Sequence, residues 1–226
     1  MKKLILLTVA LVMALSACVQ NNSKPTPKVG DKMYYDVTNI TPEGKTTISL
    51  VSEVTDVNDS TTTVSQTFTF PDGNQITNSY TSLIEKEYTD VSLKSIFVKY
   101  LEKFEDSLEF VEGTDFVRYQ NDINEKSVFE PARMVLKYTA DGSDIMIELS
   151  VEERTVHGKE KVTTPAGTFD CIKFSENHVA KIGDEEFFTQ LVCWYDIKNR
   201  NEVKQTDLGK EGDINYELVL TKTEYK

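Results

Sequence analysis

The stretch MVLKYTADGSDIMIELSV, residues 134–151, decides the fold. Met134, Leu136, Tyr138 and Ala140 alternate with polar neighbours. After Asp141-Gly142 the pattern resumes, with Ile145, Ile147, Leu149 and Val151 on one side and Met146, Glu148 and Ser150 on the other. A period of two with β-branched and aromatic enrichment marks strands with one wet face. Asp-Gly between two such runs is a hairpin signal. The alternation recurs in Ile214, Tyr216, Leu218 and Leu220, and further strands are expected at 32–40, 46–57, 61–70, 75–83, 116–120 and 154–163. Pro42-Glu43-Gly44, Pro71-Asp72-Gly73 and Pro165-Ala166-Gly167 share one turn design. Proline presets φ at the first turn position, and glycine takes a left-handed site that closes a three-residue hairpin. The expectation is an all-β (β-rich α+β) domain built on a curved antiparallel sheet.

One segment departs from the period of two. In 91–105, Leu93, Phe97, Tyr100, Leu101 and Phe104 recur at helical spacing, with Lys94, Lys99, Glu102 and Lys103 between them. This predicts one amphipathic helix, capped by Asp90 or Ser92 and packed on the sheet. The run 186–197 is apolar on both faces: Phe187, Leu191, Cys193, Tyr195 and Ile197 on one, Phe188, Val192 and Trp194 on the other. A strand covered on both faces is central. Two readings follow, a central strand under the helix or a second face (Phe188, Val192, Trp194) lining a concave groove for an apolar ligand.

The amino terminus speaks of location. Lys2 and Lys3 precede an apolar run, and Leu15-Ser16-Ala17 precede Cys18, the arrangement of a secretory signal over residues 1–17. Residues 4–17 number fourteen, short of the roughly 20 needed to span a bilayer. The cysteine after small residues resembles the lipobox of bacterial lipoproteins. That resemblance implies cleavage before Cys18, diacylglycerol on its sulfur and a further N-acyl chain such as palmitate, enough lipid for firm anchoring. Val19 stands next, not aspartate, and no acidic cluster follows. By analogy with enterobacterial sorting, this implies the outer membrane, facing the periplasm. Residues 18–28 read as a polar, proline-bearing tether, and about ten extended residues reach roughly 30 Å. A single domain is expected over 29–226.

The chain carries 25 Lys+Arg against 37 Asp+Glu. Two of the lysines are in the leader, leaving 23 against 37 and a net charge near −14. Such a surface repels phosphate backbones, so nucleic acid is excluded as a partner class. It also faces anionic head groups unfavourably, so lipid must do the anchoring. With Cys18 committed to lipid, Cys171 and Cys193 remain as an even pair in an oxidising compartment. A hairpin folding at Lys181-Ile182-Gly183 would set them opposite each other, close enough for a disulfide after modest adjustment. Two buried free thiols are the alternative.

The run KVTTPAGTFDCIK, residues 161–173, looks like the TPAGTF-x-C-x-K hairpin of bacterial envelope lipoproteins related to DUF3108, a domain of unknown function, and to the TapB-like proteins. Val192-Cys193-Trp194-Tyr195-Asp196, Asn201-Glu202-Val203-Lys204 and Tyr216-Glu217-Leu218 fit the same pattern, and Val29-Gly30-Asp31-Lys32 resembles its opening. The resemblance implies an open half-barrel around a helix, similar to the lipoprotein carriers LolA and LolB. It implies no chemistry for these residues.

Enzyme signatures are absent from the sequence. His157 and His178 have no Cys or His partner at zinc spacing and read as surface residues. No nucleophile elbow, P-loop or dinucleotide fingerprint occurs. The oxygen-rich runs 115–125 and 141–144 do not follow a calcium-loop spacing. The expected function is therefore non-catalytic and without cofactor: a lipid-anchored lipoprotein that binds an apolar or amphiphilic ligand on its concave face. The alternative is a structural or protein-interaction module in the envelope.

Overall fold

The computed structural model describes residues 27–226 apart from 85–87, 102, 103, 105–107, 121, 141 and 200. The signal segment, Cys18 and most of the tether lie outside the described residues. Thirteen strands form one antiparallel sheet. In chain order they are β1 (Lys32–Thr41), β2 (Gly44–Val57), β3 (Thr61–Thr69), β4 (Gln75–Ile84), β5 (Tyr88–Ser92), β6 (Leu108–Gly113), β7 (Phe116–Gln120), β8 (Ala132–Ala140), β9 (Ser143–Thr164), β10 (Gly167–Ile182), β11 (Glu185–Asp196), β12 (Glu202–Leu208) and β13 (Ile214–Glu224). Their order across the sheet is β6-β8-β9-β10-β11-β12-β13-β1-β2-β3-β4-β5-β7. The sheet is an open, curved half-barrel with almost no helix.

The alternating segments became the strands expected of them, and two expected strands, 145–151 and 154–163, are one long β9. The three Pro-x-Gly turns all close hairpins. At Thr41↔Gly44 and Thr164↔Gly167 the loop is only two residues, and the glycine already belongs to the following strand, at φ +137° and +138°. The concave face holds the core. Tyr35, Leu50, Phe68, Met134, Leu136, Ile147, Leu149 and Leu218 are essentially inaccessible there.

The helix expected over 91–105 is not one helix. Val91 and Ser92 belong to β5, paired with Val117 and Phe116 of β7. Two single helical turns follow, α1 (Leu93–Ile96) and α2 (Val98–Leu101), broken at Phe97. The amphipathic spacing still does its packing work: Leu93, Phe97, Leu101 and Phe104 are buried in the core. The register with β7 takes the first turn, and a four-residue helix has too few hydrogen bonds to propagate.

Strands β6 and β7 are consecutive in sequence yet lie at opposite ends of the sheet. The corner between them brings the two ends together. Leu93 N–H donates to the Asp115 carbonyl (2.8 Å), and Thr114 N–H donates to the Arg133 carbonyl of β8 (2.9 Å). Gly113 makes this crossing possible. Its φ is +101°, and a Cβ there would sit 2.1 Å from the Arg133 oxygen. Gly113→Ala should therefore cost about 2 kcal/mol through backbone strain and displacement of β8. Thermal unfolding checks this; a Tm within 1 °C of the parent's, against roughly 2–4 °C lost per kcal/mol at this size, would refute it.

Candidate functional site

The concave face carries charge as well as hydrocarbon, and a bulge puts it there. In β9 the inward residues are Ile147, Leu149 and Val151. Continuing the alternation would turn Glu153 inward. Instead Ser175↔Thr155 and Asn177↔Glu152 enclose two residues of β9 against the single Glu176 of β10, and Glu153 adopts φ +48°. A bulge of this kind shifts the phase of a strand by one. Glu153 stays exposed, and Arg154 swings inward opposite Glu176.

Arg154 and Glu176 form a salt bridge, Nε to Oε2 at 3.0 Å, with both side chains 1 % exposed. The guanidinium lies over the rings of Tyr119 and Phe129, 4.4 Å from each centroid. Its Nη1 donates to the carbonyls of Arg118 on β7 and Glu130 before β8, each at 3.1 Å. One side chain thus ties β9, β10 and β7 to the approach to β8. On the other carboxylate oxygen, Tyr119 Oη donates at 2.9 Å and His178 Nε2 lies at 2.8 Å. A carboxylate only accepts, so Nε2 carries the hydrogen. The His178 ring packs 5.6 Å from Phe97. Burial works against ionisation of Glu176, but His178, Arg154 and Tyr119 outweigh it and hold the carboxyl at about 2.

A second carboxyl, Glu202, has no ion-pair partner among the described residues. Glu202 on β12 is buried, and desolvation, with the Glu176 charge adding to it, pushes it up to about 8 against the pull of a Cys193 hydrogen bond. It is therefore mostly protonated at neutral pH. The Gln205 amide nitrogen donates to it at 3.0 Å, and the amide oxygen accepts from the Tyr216 hydroxyl. Tyr35 donates to the Glu202 backbone carbonyl at 3.3 Å. Further along β12, buried Asp207 accepts from Thr189 (2.5 Å) and Asn215 (2.7 Å).

The residues expected from sequence fall elsewhere. Phe188, Val192 and Trp194 are half-buried on the face opposite the core residues Leu191, Cys193 and Tyr195. Trp194 donates its indole N–H to Glu160 (3.0 Å) and lies between the ammonium groups of Lys173 and Lys204, 5.0 and 5.2 Å from its ring. The helical turns pack on the other face of β11, where the tilted rings of Tyr100 and Phe187 have centroids 5.0 Å apart. The apolar pattern told the two faces apart but not which one curves inward. The disulfide expectation also needs correction. The β10–β11 hairpin turns at Gly183-Asp184, so Cys171 opposes Asp196 and Cys193 opposes Phe174. An odd offset sends the two thiols to opposite faces, and both are free and buried. Burial pushes Cys171 up to about 12 and Cys193 well above the usual thiol range, so neither is a ready nucleophile.

His157 is exposed, as its sequence setting suggested, with Nε2 2.7 Å from Ser175 Oγ; His178 is buried, against expectation. Ser175 is itself buried between strands. Among the described residues no cluster of three or more His, Cys, Asp or Glu is placed to hold a metal, and no helix is long and apolar enough to cross a membrane. Nothing in the residue pattern marks Arg154, Glu176 and Glu202 as a cluster. The one trace was the polar run Ser175-Glu176-Asn177-His178 inside a strand whose neighbours are core.

An open, curved antiparallel sheet packed on its own core, with the Arg154–Glu176 pair buried against that core, defines the class of this protein. The chain belongs to the DUF3108-like family, which it matches over residues 20–213. In fold it is similar to a candidate lipoprotein from Parabacteroides distasonis, at 18 % identity and TM-score 0.63, over 88 % of this chain and 97 % of that one. It is similar also to a candidate exported protein with a YmcC-like fold from Bacteroides fragilis, at 18 % identity and TM-score 0.60, over 89 % and 98 % of the two chains. No curated protein is significantly similar to it.

Proposed function

We propose that this chain is a lipid-anchored lipoprotein of the cell envelope, held by acylated Cys18 at the outer membrane, and that its domain is a non-catalytic structural or interaction module. The observation that carries the second half is the occupied concave face. Leu93, Phe97, Tyr119 and Phe68 fill it, each at most 1 % exposed, and the Arg154–Glu176 pair fastens the covering strand β7 across it. A carrier of apolar ligands, in the manner of LolA or LolB, needs that face open. The candidate lipoprotein and exported protein that share the fold support an envelope setting. The lipobox-like Leu15-Ser16-Ala17-Cys18 supports the anchor.

Cys18→Ala should abolish palmitate labelling and release the protein from membranes while leaving it folded. Metabolic labelling with membrane fractionation reads both. A Cys18→Ala protein that still pellets with membranes would refute the anchor, and a mobile apolar ligand retained by the purified protein in native mass spectrometry would refute the module reading in favour of a binder.

A further inference from the structure

We infer that the outer edge of β4 is a docking edge for β4 of a second copy of this chain, an inference that rests on the interaction-module reading and gives it a partner. From Gln75 to Leu83 the inner side of β4 is laddered to β3. On the other side only Leu83 and Ile84 meet a strand, pairing with Asp90 and Thr89 of β5. From Gln75 to Ser82, among the described residues, no strand lies there. A strand edge left open presents its backbone N–H and C=O groups for pairing, and proteins usually guard such edges with charge or proline.

The two ends of the sheet, β6 and β7, are guarded in this way. Strand β6 carries Glu109 and Glu112, 65 % and 60 % exposed, paired with Lys137 and Arg133. Strand β7 carries Arg118, paired with Asp90. Strand β4 has no such guard. From residue 61 to residue 84 the sequence holds one charged residue, Asp72, and it lies in the turn, although 27 % of the chain is charged. Gln75, Thr77, Asn78, Ser79 and Thr81 are exposed, and Ile76 is 48 % exposed. The threonines are already fixed in place by cross-strand hydroxyl pairs, Thr63 with Thr81 (2.9 Å) and Thr67 with Thr77 (3.0 Å). The edge is therefore ordered, rich in β-forming residues and neutral.

Neutrality selects the occupant. Two copies of a strongly acidic body repel wherever their carboxylates meet, and an isologous contact must bring each surface against itself. Edge β6 would set glutamates against glutamates. Edge β4 sets no charge against charge. With a two-fold normal to the sheet at Asn78, Thr77 lies opposite Ser79 of the second copy, Gln75 opposite Thr81, and exposed Ile76 opposite Tyr80. A single strand pair buries less than a standard interface, so affinity is modest. Anchoring both copies in one membrane raises their effective concentration enough to populate the pair.

The test uses the full chain in intact cells, with Asn78→Cys and Ser79→Cys as separate single substitutions and a short bismaleimide as the cross-linker. Buried Cys171 and Cys193 are silent in the parent chain. At least one variant should give a band at twice the monomer mass, while Glu109→Cys on β6 should not. Adding Thr77→Lys to the better variant should cut that band at least tenfold by placing lysines around the two-fold. No doubled band from either variant at normal protein levels would overturn the inference, as would a doubled band indifferent to Thr77→Lys. A band at any other mass would overturn self-pairing while keeping the interaction module. Loss of the lipid anchor is read separately: purified full-length protein at high concentration should still cross-link through Asn78→Cys or Ser79→Cys.

Discussion

Arg154→Ala should lower the free energy of unfolding by about 3–5 kcal/mol, the usual cost of stranding one member of a buried ion pair. Glu176 would keep Tyr119 and His178 but lose the cation on its second oxygen, in a site where both side chains are 1 % exposed. The same change strips the stacking on Tyr119 and Phe129 and leaves the Arg118 and Glu130 carbonyls without their donor. Because these contacts join β7 to β9 and β10 across the concave face, the loss falls where the two ends of the sheet meet. Hydrogen exchange should then show β5–β7 opening before the rest of the sheet. Urea unfolding at pH 7 measures the total. A paired replacement, Arg154→Met with Glu176→Leu, removes both charges and should be destabilised less than either single change. If Arg154→Ala cost under about 1 kcal/mol, the pair would be a bystander and the closure would rest on apolar packing alone.

The fold was legible because a half-exposed sheet writes its pleat into the sequence. Residues 134–151 announced β8, β9 and the hairpin between them, and the structure places Met134 opposite Leu149 and Leu136 opposite Ile147 on the core face. Strands β5 and β6 were not legible. Leu108–Gly113 is an edge strand exposed along most of its length, so its side chains answer to no buried face. Tyr88–Ser92 alternates for only five residues, and its last two, Val91 and Ser92, fall inside the stronger helical period of 91–105. The buried cluster was hidden for a different reason. Glu153 has an ordinary side chain in a left-handed conformation, and nothing in its identity signals the bulge. Without the bulge the pattern points Glu153 inward and Arg154 outward, the reverse of what occurs. Register hid the cysteines in the same way. A turn centred one or two residues later than expected moves both thiols out of line.

Glu202→Gln should raise stability at pH 8 by an amount that shrinks to nothing near pH 4. The parent carboxyl is held up at about 8 by burial in the folded state and returns to its ordinary value of about 4.5 when the chain unfolds. Between those values the folded protein binds the proton and the unfolded chain does not. Stability contributed by the neutral acid is therefore fully present below pH 4.5 and is lost as pH rises toward 8. At about 1.4 kcal/mol per pH unit, the loss by pH 7 is on the order of 3 kcal/mol. Glu176 has the opposite sign: held at about 2, it stabilises above pH 4.5, and that stability is lost as pH falls from 4.5 toward 2. The contributions of these two groups, taken together, are greatest near pH 4–5. A glutamine at 202 keeps the shape and the hydrogen bond to Gln205 but cannot ionise, so the fall in Tm from pH 5 to pH 8 should flatten while the acid limb, governed by Glu176, stays as it was. Calorimetric Tm values across pH 3–9 for both proteins decide it. Parallel curves would mean that water or a rearranged Gln205 reaches Glu202 when it ionises, and that the interior around β12 is less sealed than its burial indicates.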